Sequence, residues 1–82
     1  LYEHNQVDEA ITYYQRAIEL MPEYANAHHN LGMALYRQGQ TPEAIAAYRT
    51  AIELEPNHAS ARNRLGVALY QANQVTEAIE QY

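Results

Sequence analysis

Apolar residues fall in one helical rhythm along most of the chain. Ala10, Ile11, Tyr14, Ala17 and Ile18 follow an i, i+1, i+4, i+7, i+8 spacing, and Ala44, Ile45, Tyr48, Ala51 and Ile52 repeat it. That spacing lays a single apolar stripe along an α-helix and fits no strand. A second kind of segment alternates with the first. In it His28, Leu31, Gly32 and Leu35 share one side, and Leu65, Gly66 and Leu69 hold the same places in a copy. The pattern predicts helices over residues 8–21, 24–38, 41–55 and 58–72, with another beginning at residue 76.

The punctuation between these stretches agrees with the pattern. Pro22 and Pro56 end helices, because a residue before proline avoids the helical region. Gly39 suits the left-handed conformation just past a helix end, and Asn5 and Asn73 occupy the equivalent places, so all three read as stops. On this reading residues 1–4 are the last turn of a helix. Asp8 and Glu9 favour the positive end of the helix they open. Thr41 reads as an N-cap, Pro42 as the first helical residue and Glu43 as a partner for the helix dipole. Gly32 and Gly66 sit in mid-helix, where glycine costs about 1 kcal/mol against alanine. Close helix–helix approach at both is the expected reason.

The two kinds of segment form one repeating text. NLGMALYRQGQTPEAIAAY at residues 30–48 returns as RLGVALYQANQVTEAIEQY at residues 64–82, an offset of 34. DEAITYYQRAIELMP at residues 8–22 returns as PEAIAAYRTAIELEP at residues 42–56, at the same offset of 34. A period of that size marks stacked supersecondary units. The L-G…Y…A…P skeleton resembles the tetratricopeptide repeat family over the whole chain. The resemblance implies an all-α fold, a right-handed superhelical array of antiparallel helix pairs. It divides the single array into a partial repeat (1–24), a complete repeat (25–58) and a second partial repeat (59–82). Two positions depart from the family pattern. The aromatic that usually opens the unit is His28 here and Arg62 in the next copy.

In this family the first helix of each unit lines a concave groove where extended peptides lie. The resemblance therefore implies a groove lined by Asn26, His29, Asn30, Met33, Tyr36 and Arg37, with the copy Ser60, Asn63, Arg64, Val67, Tyr70 and Gln71. At helical spacing each set forms one face, opposite the leucines. The chemistry suits a peptide. Asparagine donates to and accepts from a backbone, tyrosine offers flat apolar area with a polar tip, and arginine takes a carboxylate in two bonds. Some relatives clamp a partner's C-terminal carboxylate with Asn, Lys and Arg. Asn30 and Arg64 match two of those places, while Ser60 stands where the clamp has Lys. The expected role is a protein–protein interaction module or scaffold for a peptide or partner protein. The alternative is a structural unit that stacks head-to-tail into longer superhelical assemblies, since each unit's back is shaped for the next unit's front.

Composition narrows the remaining classes. Net charge is −5, with five basic residues, all arginine, so no basic footprint for nucleic acid or an anionic membrane is expected. The absence of cysteine removes disulfides and thiolate metal sites. His28 and His29 are adjacent and point about 100° apart on a helix, and His4 and His58 lie near turns, so no metal site is expected. No nucleophile has a recognisable base and no Gly-rich phosphate loop occurs, so neither catalysis nor a cofactor is expected. No apolar run reaches membrane-spanning length. The chain opens on Leu1 rather than Met and reads as a piece of a longer array.

Overall fold

The structure, a computed structural model, describes the backbone of residues 2–81 and the side chains of residues 6–74. Four helices follow one another: α1 (Tyr2–Leu20), α2 (Ala25–Arg37), α3 (Thr41–Leu54) and α4 (Ala59–Gln81). All regular structure among the described residues is α-helical. Each helix packs on the next, and α2 also touches α4. Short connections leave consecutive helices antiparallel. The result is a slab of 45 × 34 × 16 Å. Its radius of gyration of 13.5 Å exceeds the roughly 12 Å of a compact chain this long, as expected when units contact only their neighbours.

The connections owe their shapes to particular residues. α1 stops two residues before Pro22, and α3 two residues before Pro56. At the end of α2, Gly39 takes φ +87°. Its N–H reaches the Tyr36 carbonyl at 3.0 Å, and the Gln40 N–H reaches the Leu35 carbonyl at 2.9 Å. This pair of bonds is the Schellman stop, which satisfies carbonyls the helix would otherwise leave open. Gln38 Nε2 also donates to Asp8 Oδ1 at 2.6 Å, tying this end of α2 to α1.

Two expected stops are absent. α1 runs through Asn5 from Tyr2, and α4 runs through Asn73 to Gln81 without a break. The only positive φ among the described residues belongs to Gly39. Asparagine tolerates the left-handed conformation less well than glycine, and continuing the helix satisfies the same backbone groups without it. The separate helix expected from residue 76 is therefore the far end of α4. At the start of α3 the expectation is off by one residue: Gln40 is the N-cap and its carbonyl accepts from the Ala44 N–H at 2.9 Å, leaving Thr41 inside the helix.

Among the described residues the core consists of eight alanines and one large side chain. Ala25, Ala27, Ala34, Ala44, Ala47, Ala51, Ala61 and Ala68 are buried with Tyr48, the only large side chain among the described residues that is fully removed from solvent. Alanine brings helix backbones close but contributes little apolar area, so Tyr48 and its half-buried neighbours Met33, Leu35, Tyr36, Ile45 and Leu65 hold α2, α3 and α4 together. Gly32 lies under the Tyr48 ring. A Cβ there would stand 2.6 Å from Cε1 and 2.7 Å from Cδ1. The expected close approach is thus present at Gly32. At Gly66 it is not: an added Cβ meets nothing within 4 Å. The repeat-equivalent of Tyr48 is Tyr82, which lies outside the described residues, and α4 does not fold back on itself.

Candidate functional site

The twelve residues expected to line one groove occupy three places. Asn30, Met33 and Arg37 face α1 and, with Ala34, form one wall of an open cleft of about 640 Å³. Gln6, Val7, Ala10 and Tyr14 of α1 form the other wall. Of these four, Ala10 and Tyr14 belong to the apolar stripe read from the sequence, while Gln6 and Val7 carried no signal there. On the same face of α2, Asn26, His29 and Tyr36 turn towards α3 and α4. Asn63, Val67, Tyr70 and Gln71 line a shallow depression of about 370 Å³ on α4, together with Arg62 and Gly66. Tyr70 is 64% exposed, and its hydroxyl accepts from Gln74 Nε2 at 2.8 Å. Ser60 and Arg64 are exposed on the same helix. Arg64 acts electrostatically on both His29 and Tyr48.

A histidine joint links the start of α4 to α2. The Ala61 N–H donates to His58 Nδ1 at 3.1 Å, so His58 caps α4 with its ring. That bond leaves the ring proton on Nε2, which donates to Asn26 Oδ1 at 2.7 Å. Tyr24, one repeat earlier, makes no such side-chain cap. Histidine is not among the preferred capping residues, and this role of His58 carries no signal in the sequence. The His29 ring lies 4.9 Å from that of His58 and 6.1 Å from that of Tyr48. Its Nε2 is buried without a hydrogen-bond partner.

The two unusual residues at the opening position of the unit share a device. His28 Nε2 donates to the Pro22 carbonyl at 2.9 Å, and Arg62 Nε donates to the Pro56 carbonyl at 2.6 Å. Each closes the turn six residues behind it. A side-chain N–H thus ties the turn to the helix at the position where the family carries an aromatic ring.

Burial lowers the His29 pKa below its ordinary 6.5. The neighbouring His58 and Arg64 charges add to the effect, and a hydrogen bond with Asn30 opposes it. Burial raises the Tyr48 phenol above its usual 10.0, with Arg64 opposing and Tyr36 adding. For His29 the unfolded chain binds the proton more readily than the folded one. Stability is therefore full above about pH 6.5 and falls as pH drops from there through the lowered folded value. Urea melts at pH 7.5 and 5.5 are expected to show the lower midpoint at 5.5. His29→Gln is expected to flatten that difference; an undiminished difference in the variant would assign it to other groups.

Among the described residues no helix is long and apolar enough to cross a membrane, and no three His, Asp or Glu side chains are grouped to hold a metal ion.

Four helices packed in sequence, in a repeating register of 34 residues, define a helical-repeat protein. A family model described as tetratricopeptide repeat matches residues 29–82, and a second, described as TPR repeat, matches residues 1–39. Among curated proteins no relative matches. The chain belongs to the tetratricopeptide repeat family. Members of this family generally mediate protein–protein interaction and are typically non-catalytic.

Proposed function

We propose that the chain is a protein-interaction module whose peptide or protein partner enters the cleft between α1 and α2. The supporting observation is the composition of that cleft. Val7, Ala10, Tyr14 and Met33 supply an apolar floor, while Gln6, Asn30 and Arg37 place amides and one cation at its edges. A partner segment with an apolar side and a carboxylate within reach of Arg37 matches this lining. The faces of α2 turned towards α4, and the depression on α4, extend the same role along the array. The acidic balance of −5 fits a protein partner better than a nucleic acid.

Selection of peptides on the 82-residue chain, followed by titration of the best binder, tests the reading. Asn30→Ala combined with Arg37→Ala is expected to weaken binding about ten-fold or more with helicity unchanged, because hydrogen bonds to a charged group contribute about 1.5–3 kcal/mol. Asn63→Ala with Gln71→Ala serves as the comparison. Tyr36 is a poor probe, since its ring packs on the Ala44, Tyr48 and Ala68 cluster and its loss disturbs the core. Equal binding by the parent and the Asn30/Arg37 variant would remove the cleft from the site.

A further inference from the structure

We propose that His58 is a positioning residue for the binding face of α2: it turns the Asn26 amide so that its NH2 group, and not its oxygen, meets a partner. This holds on the reading of α2 as part of an interaction surface, and it makes that place on the helix selective for an oxygen acceptor, a carbonyl or a carboxylate. The observation behind it is a relay of hydrogen bonds. The Ala61 N–H reaches His58 Nδ1 at 3.1 Å, and His58 Nε2 reaches Asn26 Oδ1 at 2.7 Å.

Polarity runs one way along this relay. A backbone N–H can only donate, so Nδ1 accepts and the neutral ring carries its proton on Nε2. That proton needs an acceptor, and only the oxygen of the Asn26 amide is one. Turning the amide over would set NH2 against N–H. The Asn26 nitrogen is therefore held on the side away from the ring. Asn26 is exposed, and its nitrogen has no partner among the described residues. The imidazole that sets this order is itself held from the side, since the His29 ring packs 4.9 Å from it. On the surface of α2, Asn26, Asn30, Met33 and Arg37 stand at i, i+4, i+7 and i+11, one stripe. It is about 16 Å long, the reach of about five residues of extended chain. A segment spanning it meets a cation at one end and a fixed donor at the other, and both call for oxygen. In the next unit Ser60 holds the place of Asn26. A hydroxyl rotates to donate or accept, so the fixed polarity belongs to Asn26.

Nitrogen-15 NMR of the free chain at pH 7.5 tests the relay and is expected to place the His58 ring proton on Nε2; a proton on Nδ1 overturns the proposal. Titration of the peptide selected on the parent chain tests the consequence. His58→Ser keeps a side chain suited to the helix start but is too short to reach Asn26. It is expected to bind that peptide about three- to ten-fold more weakly with circular dichroism unchanged, because the freed amide must be ordered on binding. In an Asn26→Ala background the same change is expected to have no effect, whereas a merely structural role of His58 would weaken both chains alike. Asn26→Asp keeps an oxygen for His58 and replaces the outward NH2 by a second oxygen, and is expected to bind about ten-fold or more weakly. The peptide remade with an amidated C-terminus, and with its Asp and Glu changed to Asn and Gln, separates the two acceptors: an Asn26 dependence that persists assigns a carbonyl, and one that is lost assigns a carboxylate. An Asn26→Asp chain that binds like the parent overturns the proposal, as does a His58→Ser effect of equal size without the Asn26 side chain. Binding that depends on Asn30 and Arg37 but on neither Asn26 nor His58 overturns it and leaves the interaction module standing; a selection that yields no binder removes both.

Discussion

Tyr48→Ala is expected to leave little or no cooperatively folded chain at 25 °C. Tyr48 is 1% exposed and, among the described residues, is the only large side chain the fold buries completely; the other buried hydrophobic side chains described are all alanine. Truncating a buried aromatic to alanine costs about 3–5 kcal/mol, from lost transfer energy and from the cavity left behind. Domains hold roughly 0.05–0.15 kcal/mol of stability per residue, so a chain of 82 residues has on the order of 4–12 kcal/mol to lose. The lower half of that range is where this chain belongs, because its alanines contribute little burial and the slab is thin, at 16 Å. The ring also touches both neighbours: Gly32 lies beneath it, and Ala68 of α4 shares its cluster. Its loss therefore loosens α2, α3 and α4 together. Tyr13, 71% exposed, is the comparison, and its alanine variant is expected to stay within about 0.5 kcal/mol of the parent. Circular dichroism with urea unfolding reads both. A Tyr48→Ala chain that unfolds within 1 kcal/mol of the parent would show that the ring is not the keystone of the packing.

Which parts of this were legible in the sequence depends on how local each cause is. The helix ends at Pro22 and Pro56 and the turn at Gly39 were readable because one residue's own backbone limits decide them. Asn5 and Asn73 misled because they permit a stop without requiring one, and a helix with no reason to turn continues. The opening positions misled in another way. His28 and Arg62 look like failed aromatics, yet their N–H groups find the carbonyls of Pro22 and Pro56, a partner that only the folded turn reveals.

Which residues share a face of α2 was legible in the sequence; which neighbouring helices that face meets was not. Spacing places Asn26, His29, Asn30, Met33, Tyr36 and Arg37 around one side of α2. It cannot say which neighbour stands to the left or right of that side. In the structure the boundary runs down the middle of the set: Asn30, Met33 and Arg37 turn to α1, and Asn26, His29 and Tyr36 turn to α3 and α4. His58 was read only as lying near a turn, since histidine is not a usual cap for a residue three places on and its bond to Asn26 joins residues 32 apart.

The two mid-helix glycines, identical in the sequence, are expected to respond with opposite signs. Replacing glycine by alanine in a helix gains about 0.8–1 kcal/mol from backbone entropy alone. At Gly66, where nothing lies within 4 Å, that gain is expected in full, a rise of about 4–8 °C in Tm. At Gly32 the new Cβ would stand 2.6 Å from Tyr48 Cε1, closer than carbon atoms pack. The ring is 1% exposed, so yielding to the new Cβ would disturb its own packing. Overpacking of this kind costs about 1–3 kcal/mol and outweighs the propensity gain as the side chain grows, so Gly32→Leu is expected to be less stable than the parent by about that amount. The cause can be isolated by a double-mutant cycle. In a Tyr48→Leu background the obstructing ring is gone, and the Gly32 penalty is expected to shrink by about 0.5–3 kcal/mol of coupling. Urea unfolding of the four chains gives the cycle directly. If Gly32→Leu melts above the parent, or if its penalty is the same with and without the Tyr48 ring, the close approach of α2 to α3 at this glycine is wrong.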